Sequence, residues 1–152
     1  MKIQSRTLKI MAHIPVLFKE VLYYLGPQPG MKIIDATING GGHGWAMAEK
    51  IGPNGKLLGI EWDKMLFEQL KEKVKSQKKE NIILINDSYV NLKKIAKEND
   101  FDPPADGADG VLFDFGLSSW HLESGRGFSF QKDEILDMRF SPDLKVSALE
   151  IV

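Results

Sequence analysis

The chain has 152 residues, which suits one domain and leaves no room for a second complete one. At 43% hydrophobic and 27% charged residues it reads as globular rather than disordered, and the absence of cysteine excludes a disulfide scaffold, a zinc ribbon and a thiol nucleophile. A net charge of −1 makes no polycation, so any nucleic-acid contact must come from a local patch. No apolar run reaches the roughly 18 residues of a membrane helix.

In chain order, the basic start (Met1 to Met11) lacks the apolar core of a secretory signal. Val16 to Leu25 has helical period, with Leu17, Val21 and Leu25 on one face, Pro15 suiting the first turn and Gly26-Pro27 stopping the run. Met31 to Ala36 is a short apolar strand, followed by a glycine-rich turn over Asn39 to Gly44 and a short helix from Trp45 to Ile51. Lys56 to Ile60 is a second strand. Asp63 is placed as an N-cap for a helix carrying Leu66, Leu70 and Val74, whose lysine-rich end reads as a solvated last turn complementing the helix dipole. Ile82 to Ile85 is a third strand. Leu92, Ile95 and Ala96 mark another helix, and a polar loop (Asn99 to Ala108) leads to a fourth strand, Gly110 to Phe113.

Alternating strands and helices predict an α/β fold with a mostly parallel, Rossmann-like sheet. Ligands of such sheets bind outside the carboxyl ends of the strands, at the point where strand order reverses. The chemistry is therefore expected just after Ala36, Ile60, Ile85 and Phe113.

The glycine run after the first strand lets a backbone come close to a ligand, with free helix N–H groups behind it. It is not a P-loop, since no Gly-Lys-Ser/Thr follows, and it is a poor dinucleotide fingerprint, since Trp45 takes the place of the last glycine. Glu61 follows the second strand at a spacing that suits a ribose acceptor, in nicotinamide enzymes and in methyltransferases alike. Trp62 reads either as an adenine cover or as packing. After the third strand, Asp87 or Ser88 reads as a helix cap, and Tyr89 is placed to line an adenine pocket. Asp114 ends a buried strand ahead of Phe115-Gly116-Leu117-Ser118-Ser119, a costly position for packing alone. Asp102-Pro103-Pro104 is read as a turn. His13, His43 and His121 lack ligand spacing, so no metal site is expected.

Together these segments carry a resemblance. His13 to Leu22 (HIPVLFKEVL), Asp35 to Gly44 (DATINGGGHG), Gly59 to Asp63 (GIEWD), Asp109 to Ser119 (DGVLFDFGLSS), Arg126 to Phe130 (RGFSF) and Leu136 to Phe140 (LDMRF) resemble, in order, the bacterial 16S ribosomal RNA cytosine-N4 methyltransferases. The resemblance implies a class I fold, S-adenosylmethionine as cofactor, the small ribosomal subunit as partner, and a cytoplasmic setting without metal or membrane. It implies an N-terminal tail over 1–12 and a methyltransferase domain over 13–152, with a helical insertion and the last strands falling outside this chain. The fourth strand would then be an open edge.

By position, the resemblance implies that Gly41, Gly42 and His43 approach the methionine part of the cofactor, that Glu61 stands where the family has a ribose-binding Asp, and that Tyr89 holds an aromatic position. Asp114 would sit by the cofactor and the reacting centre, as the catalytic residue, and His121 would take a place usually held by Gln. Arg126, Lys132 and Arg139 are candidates for RNA backbone contact, each read equally as organising its loop or lying on the surface. Two other readings stay open: a cofactor-binding module or remnant without methyl transfer, and a nicotinamide-dependent Rossmann domain.

Overall fold

The strands are short runs of Ile and Leu, and they lack the polar alternation of a half-solvated sheet. Such runs are stable where both faces are covered. The computed structural model describes residues 15–102 and 107–152; the predicted tail over 1–12, His13, and the Pro103-Pro104 part of the polar loop lie outside them. Among the described residues, β1 (Lys32–Asp35), β2 (Lys56–Ile60), β3 (Ile82–Ile85) and β4 (Gly110–Leu112) form one parallel sheet in the order β3-β2-β1-β4. The register places Ile34 opposite Leu58 on one side and Val111 on the other.

Alternate strand residues feed two apolar layers. On one face Ile33 and Leu57 pack with Met47, Ala48 and Ile51 of α2 (Gly42–Ile51) and Leu70 of α3 (Lys64–Ser76). On the other, Ile34, Leu58 and Ile60 pack with Ile95 and Ala96 of α4 (Leu92–Glu98) and with Phe101. Fully burying one such side chain stabilises the fold by about 1.5–3 kcal/mol, so these layers dominate its energetics. The chain leaves β1 toward β2 and later returns to β1's other side as β4. The strand order therefore reverses between β1 and β4, where a ligand crevice opens in such folds.

Two helix starts differ from the sequence reading. The first helix, α1, is Phe18–Leu25, because Leu17 adopts a left-handed conformation (φ 53°). Leu17 is exposed and off the packed face, and Pro15 lies ahead of the helix. The second helix starts at Gly42 rather than Trp45, so two of the loop glycines belong to its first turn. The poor helix propensity of those glycines is offset by burial of His43, Met47, Ala48 and Ile51. Beyond β4 the sequence offered no periodic signal. The structure has only a five-residue helix there, α5 (Ser119–Glu123), a 3₁₀ turn at Ala148–Glu150, and connecting loops. Among the described residues β4 pairs with β1 alone, and Val111 in it and Phe113 just beyond it are exposed.

Candidate functional site

All four strand ends deliver residues to one place. A cleft of about 290 Å³ is lined by Ala36, Thr37 and Asn39 after β1, by Ile60, Glu61 and Trp62 at the end of β2, by Asp87 and Tyr89 after β3, and by Asp114 to Leu117 after β4; Phe140 closes it from the far end of the chain. A second recess, of about 150 Å³, shares Thr37, Asn39 and Asp114 to Leu117, and continues to Pro15, Val16, Gly42, His43 and Ser118.

The glycine turn is built by local bonding. Asp35, buried at the end of β1, accepts from the Thr37 N–H at 3.2 Å, and the Asn39 amide donates to the Thr37 carbonyl at 2.9 Å. Gly41 caps α2 at φ 82°, a conformation that costs other residues energy. It packs beside Trp45 and Leu70 and lines neither recess. A Cβ on Gly42 would lie 2.3 Å from Pro15 Cγ, so this glycine admits the segment before α1. That segment holds His43. The imidazole stacks on Phe18 at 5.9 Å between centroids, its Nε2 lies 3.2 Å from the Val16 carbonyl, and its Nδ1 lies 3.5 Å from Asp114 Oδ2. The Asp114 N–H donates to Thr37 Oγ1 at 2.6 Å, which ties the β1 and β4 loops together.

Glu61 is 4% exposed, and its Oε1 accepts from the Asp63 N–H at 2.7 Å. Burial pushes its carboxyl up to about 7, against the lowering effect of that hydrogen bond. Burial also raises the Asp35 carboxyl to about 7, with the Asp114 charge adding to the rise. Of these two buried carboxyls Glu61 lines the cleft, while Asp35 underlies the glycine turn. Aromatic rings surround the cleft. Trp62 stacks on Phe140 with centroids 5.9 Å apart and planes 2° from parallel, and Tyr89 meets Phe113 and Phe115 edge-on. Ser88, not Asp87, provides the cap of the following turn, accepting from the Val90 N–H, while Asp87 faces the cleft.

His43, Glu61, Tyr89, Asp114 and Gly42 are thus gathered along the joined recesses. His121 lies elsewhere. It is 1% exposed, with Phe128 and Phe140 against its ring. Its Nδ1 accepts from the Ser118 N–H at 3.1 Å, and its Nε2 points at Asp63 Oδ2 from 3.8 Å without a hydrogen bond. Burial holds this imidazole down at about 4, with the Arg126 charge adding to the fall and Asp63 opposing it.

The three basic residues considered for RNA bind inside the chain. Arg126 is bonded to Asp63 and to the Arg139 and Phe140 carbonyls, Arg139 forms a fork with Asp137, and Lys132 reaches the Leu122 carbonyl and Glu134. The lysine-rich end of α3 also lies away from the cleft: Lys73 covers the Trp45 ring and Lys79 pairs with Glu49. Sequence reasoning missed Asp35, Thr37, Asn39 and Phe140. The first three were legible as polar residues in the turn after a strand; Phe140 had no periodic signal. Among the described residues no cluster of His, Asp or Glu could hold a metal ion, and no helix is long and apolar enough to cross a membrane.

Known proteins share this fold. A solved structure from Clostridium thermocellum, described as a candidate rRNA-methylase, superposes with a TM-score of 0.55 at 22% identity, over 72% of this chain and 56% of that one. With the parallel order β3-β2-β1-β4 and the strand-end cleft, this defines a Rossmann-like fold of the class I methyltransferase type. The chain belongs to the MraW methylase family, whose model matches residues 10–152. It is 40% identical over 141 residues to the ribosomal RNA small subunit methyltransferase H of Dehalococcoides mccartyi, covering 92% of this chain and 39% of that protein. The proteins of that name from Dictyoglomus thermophilum (40% identity, 46% of its length) and Clostridium botulinum (37%, 44%) match over the same share of this chain. The chain therefore spans less than half the length of these curated relatives. Nothing in these matches supports the nicotinamide reading.

Proposed function

We propose that the joined recesses bind S-adenosylmethionine, and that the chain carries the cofactor-binding half of an enzyme methylating the N4 amine of a cytosine in 16S ribosomal RNA. One observation carries this reading. Glu61, Tyr89 and Asp114, which come from the ends of β2, β3 and β4, line a single cleft beside the glycine turn.

The donor set fits the cofactor. The buried Glu61 carboxylate is an acceptor suited to the two hydroxyls of a ribose, and its position is held by the Asp63 N–H. Trp62 and Tyr89 offer ring surfaces suited to a flat heterocycle. Asp114, with His43 behind it, supplies the negative charge that complements a sulfonium or an amino-acid ammonium. When bound, the cofactor supplies an electrophilic methyl group.

The chain's own contribution is placement and electrostatics. A cytosine amine is a weak nucleophile because its lone pair is delocalised into the ring. Acceptors aimed at the amine hydrogens localise that pair. Asp114 and the carbonyls of Phe115 to Leu117 border the space where such an amine would enter. Charge aimed in advance at the reacting centre, together with in-line positioning, supplies the larger part of such catalysis. A base in a duplex must be unpaired or flipped to enter. The setting for this work would be the cytoplasm, where small ribosomal subunits are found.

The test is transfer of labelled methyl from S-adenosylmethionine to small subunits or a 16S-derived RNA. Label in N4-methylcytosine supports the enzyme. Cofactor binding without transfer supports a cofactor module.

A further inference from the structure

Arg126 sits far along the chain from the strand ends, yet its contacts converge on their cleft. Its Nη2 is bonded to Asp63 Oδ2, its Nη1 donates to the Arg139 carbonyl at 3.0 Å and to that of Phe140 at 3.4 Å, and its Nε donates to Ser124 Oγ at 3.1 Å. Two of these partners, Asp63 and Phe140, lead to the cleft wall. Asp63 is 1% exposed, caps α3 through Oδ1, and donates its own N–H to Glu61. Phe140 lies flat on Trp62 and edge-on to His121, and Phe140 and Trp62 both line the cleft. The segment carrying Phe140 has no helix or strand of its own to hold it there.

From these contacts we infer that Arg126 is a positioning residue: one guanidinium fixes the Trp62–Phe140 wall and the Glu61 carboxylate as the nucleoside end of the cofactor cleft. This rests on the reading of that cleft given above. It assigns Arg126 an inward task in place of RNA contact. Guanidinium is the group that fits, because a planar fork can serve a carboxylate and two carbonyls together, whereas an ammonium cannot keep that geometry. The aspartate also needs a cation. A buried carboxylate stripped of its partner is strongly destabilising, so Arg126→Ala would confuse positioning with folding. Arg126→Lys keeps the charge beside Asp63 and gives up the fork.

The experiment is a double-mutant cycle on the 152-residue chain, with S-adenosylhomocysteine and adenosine as probes and thermal unfolding checking that each variant folds. Arg126→Lys is expected to weaken both ligands about tenfold in the wild-type background, and less than about twofold in a Trp62→Ala background, because the wall it braces is then gone. A second readout needs no ligand. Arg126→Lys should raise the acrylamide quenching of Trp62, identified as the emission lost in Trp62→Phe. Equal losses in both backgrounds, or a folded Arg126→Lys protein with unchanged affinity and quenching, overturn the inference. If the wild-type chain binds neither ligand while Arg126→Lys still unmasks Trp62, the brace stands and the cofactor reading of the cleft fails. If quenching is also unchanged, both fail.

Discussion

The two halves of the cleft are held by different means. The floor, from Asp35 to Glu61, hangs from parallel strands whose backbone bonds are regular and whose side chains are buried on both faces. The wall, from Asp114 to Phe140, has one five-residue helix, and is held by single side-chain bonds: Thr37 Oγ1 accepts from the Asp114 N–H, Arg126 bonds the Asp63 carboxylate and donates to the Arg139 carbonyl, His121 Nδ1 accepts from the Ser118 N–H, and Arg139 donates to the Leu144 carbonyl. A floor built on a ladder tolerates the loss of one polar contact. A wall built on single side chains should not, and changes there should move function before they move the fold.

The largest contrast is expected at Asp114. Asp114→Asn preserves shape and removes the charge, and should cut methyl transfer about a hundredfold or more with little change in melting temperature; turnover assays beside thermal unfolding check this. Next comes the floor's own ligand group. Glu61→Ala should weaken S-adenosylhomocysteine about ten- to a hundredfold, through loss of a charged acceptor, as read by calorimetry. Gly42→Ala probes the seam between α2 and the segment before α1. Its new Cβ would meet Pro15, and overpacking of this kind costs about 1–3 kcal/mol, seen as a lower melting temperature.

Smaller effects separate the halves by pH. Glu61 is raised to about 7 by burial, so its protonated form favours the fold at low pH, and that contribution is lost as pH rises through 7. A ribose donating to the carboxylate would favour its ionised form. S-adenosylhomocysteine should therefore bind more tightly as pH rises from 6 to 8, with proton release, and Glu61→Gln should flatten the dependence. His121 has the opposite sign. Burial holds it at about 4, against about 6.5 when unfolded. Its contribution is present above 6.5 and lost as pH falls toward 4. The stability gap between wild type and His121→Gln, followed by denaturant titration at several pH values, should shift against the wild type over that interval.

The same contrast explains what the sequence could tell. The floor was legible because period and punctuation agree there: Ile33-Ile34 before a glycine turn, Leu57-Leu58 before an acid, Asp63 ahead of Leu66 and Leu70. Even its errors were local. Leu17 left the helix through a left-handed turn, and α2 began three residues early because burial outweighed glycine's reluctance. The wall was not legible from periodicity. Arg126 and Phe140 stood in recognisable motifs, but their work depends on meeting Asp63 and Trp62 across more than sixty residues of chain. No local pattern encodes such a meeting. For the same reason the sequence left the three basic residues between RNA contact and organising their loop, since a charge in an aperiodic segment shows no sign of its partner.

Everything functional depends on the recesses at the ends of the four strands accepting an adenosyl ligand. Calorimetric titration of the 152-residue chain with S-adenosylhomocysteine tests that most directly. The account predicts one saturable site per chain that Glu61→Ala and Tyr89→Ala both weaken. No heat and no thermal stabilisation at millimolar ligand, or binding indifferent to both substitutions, would contradict it.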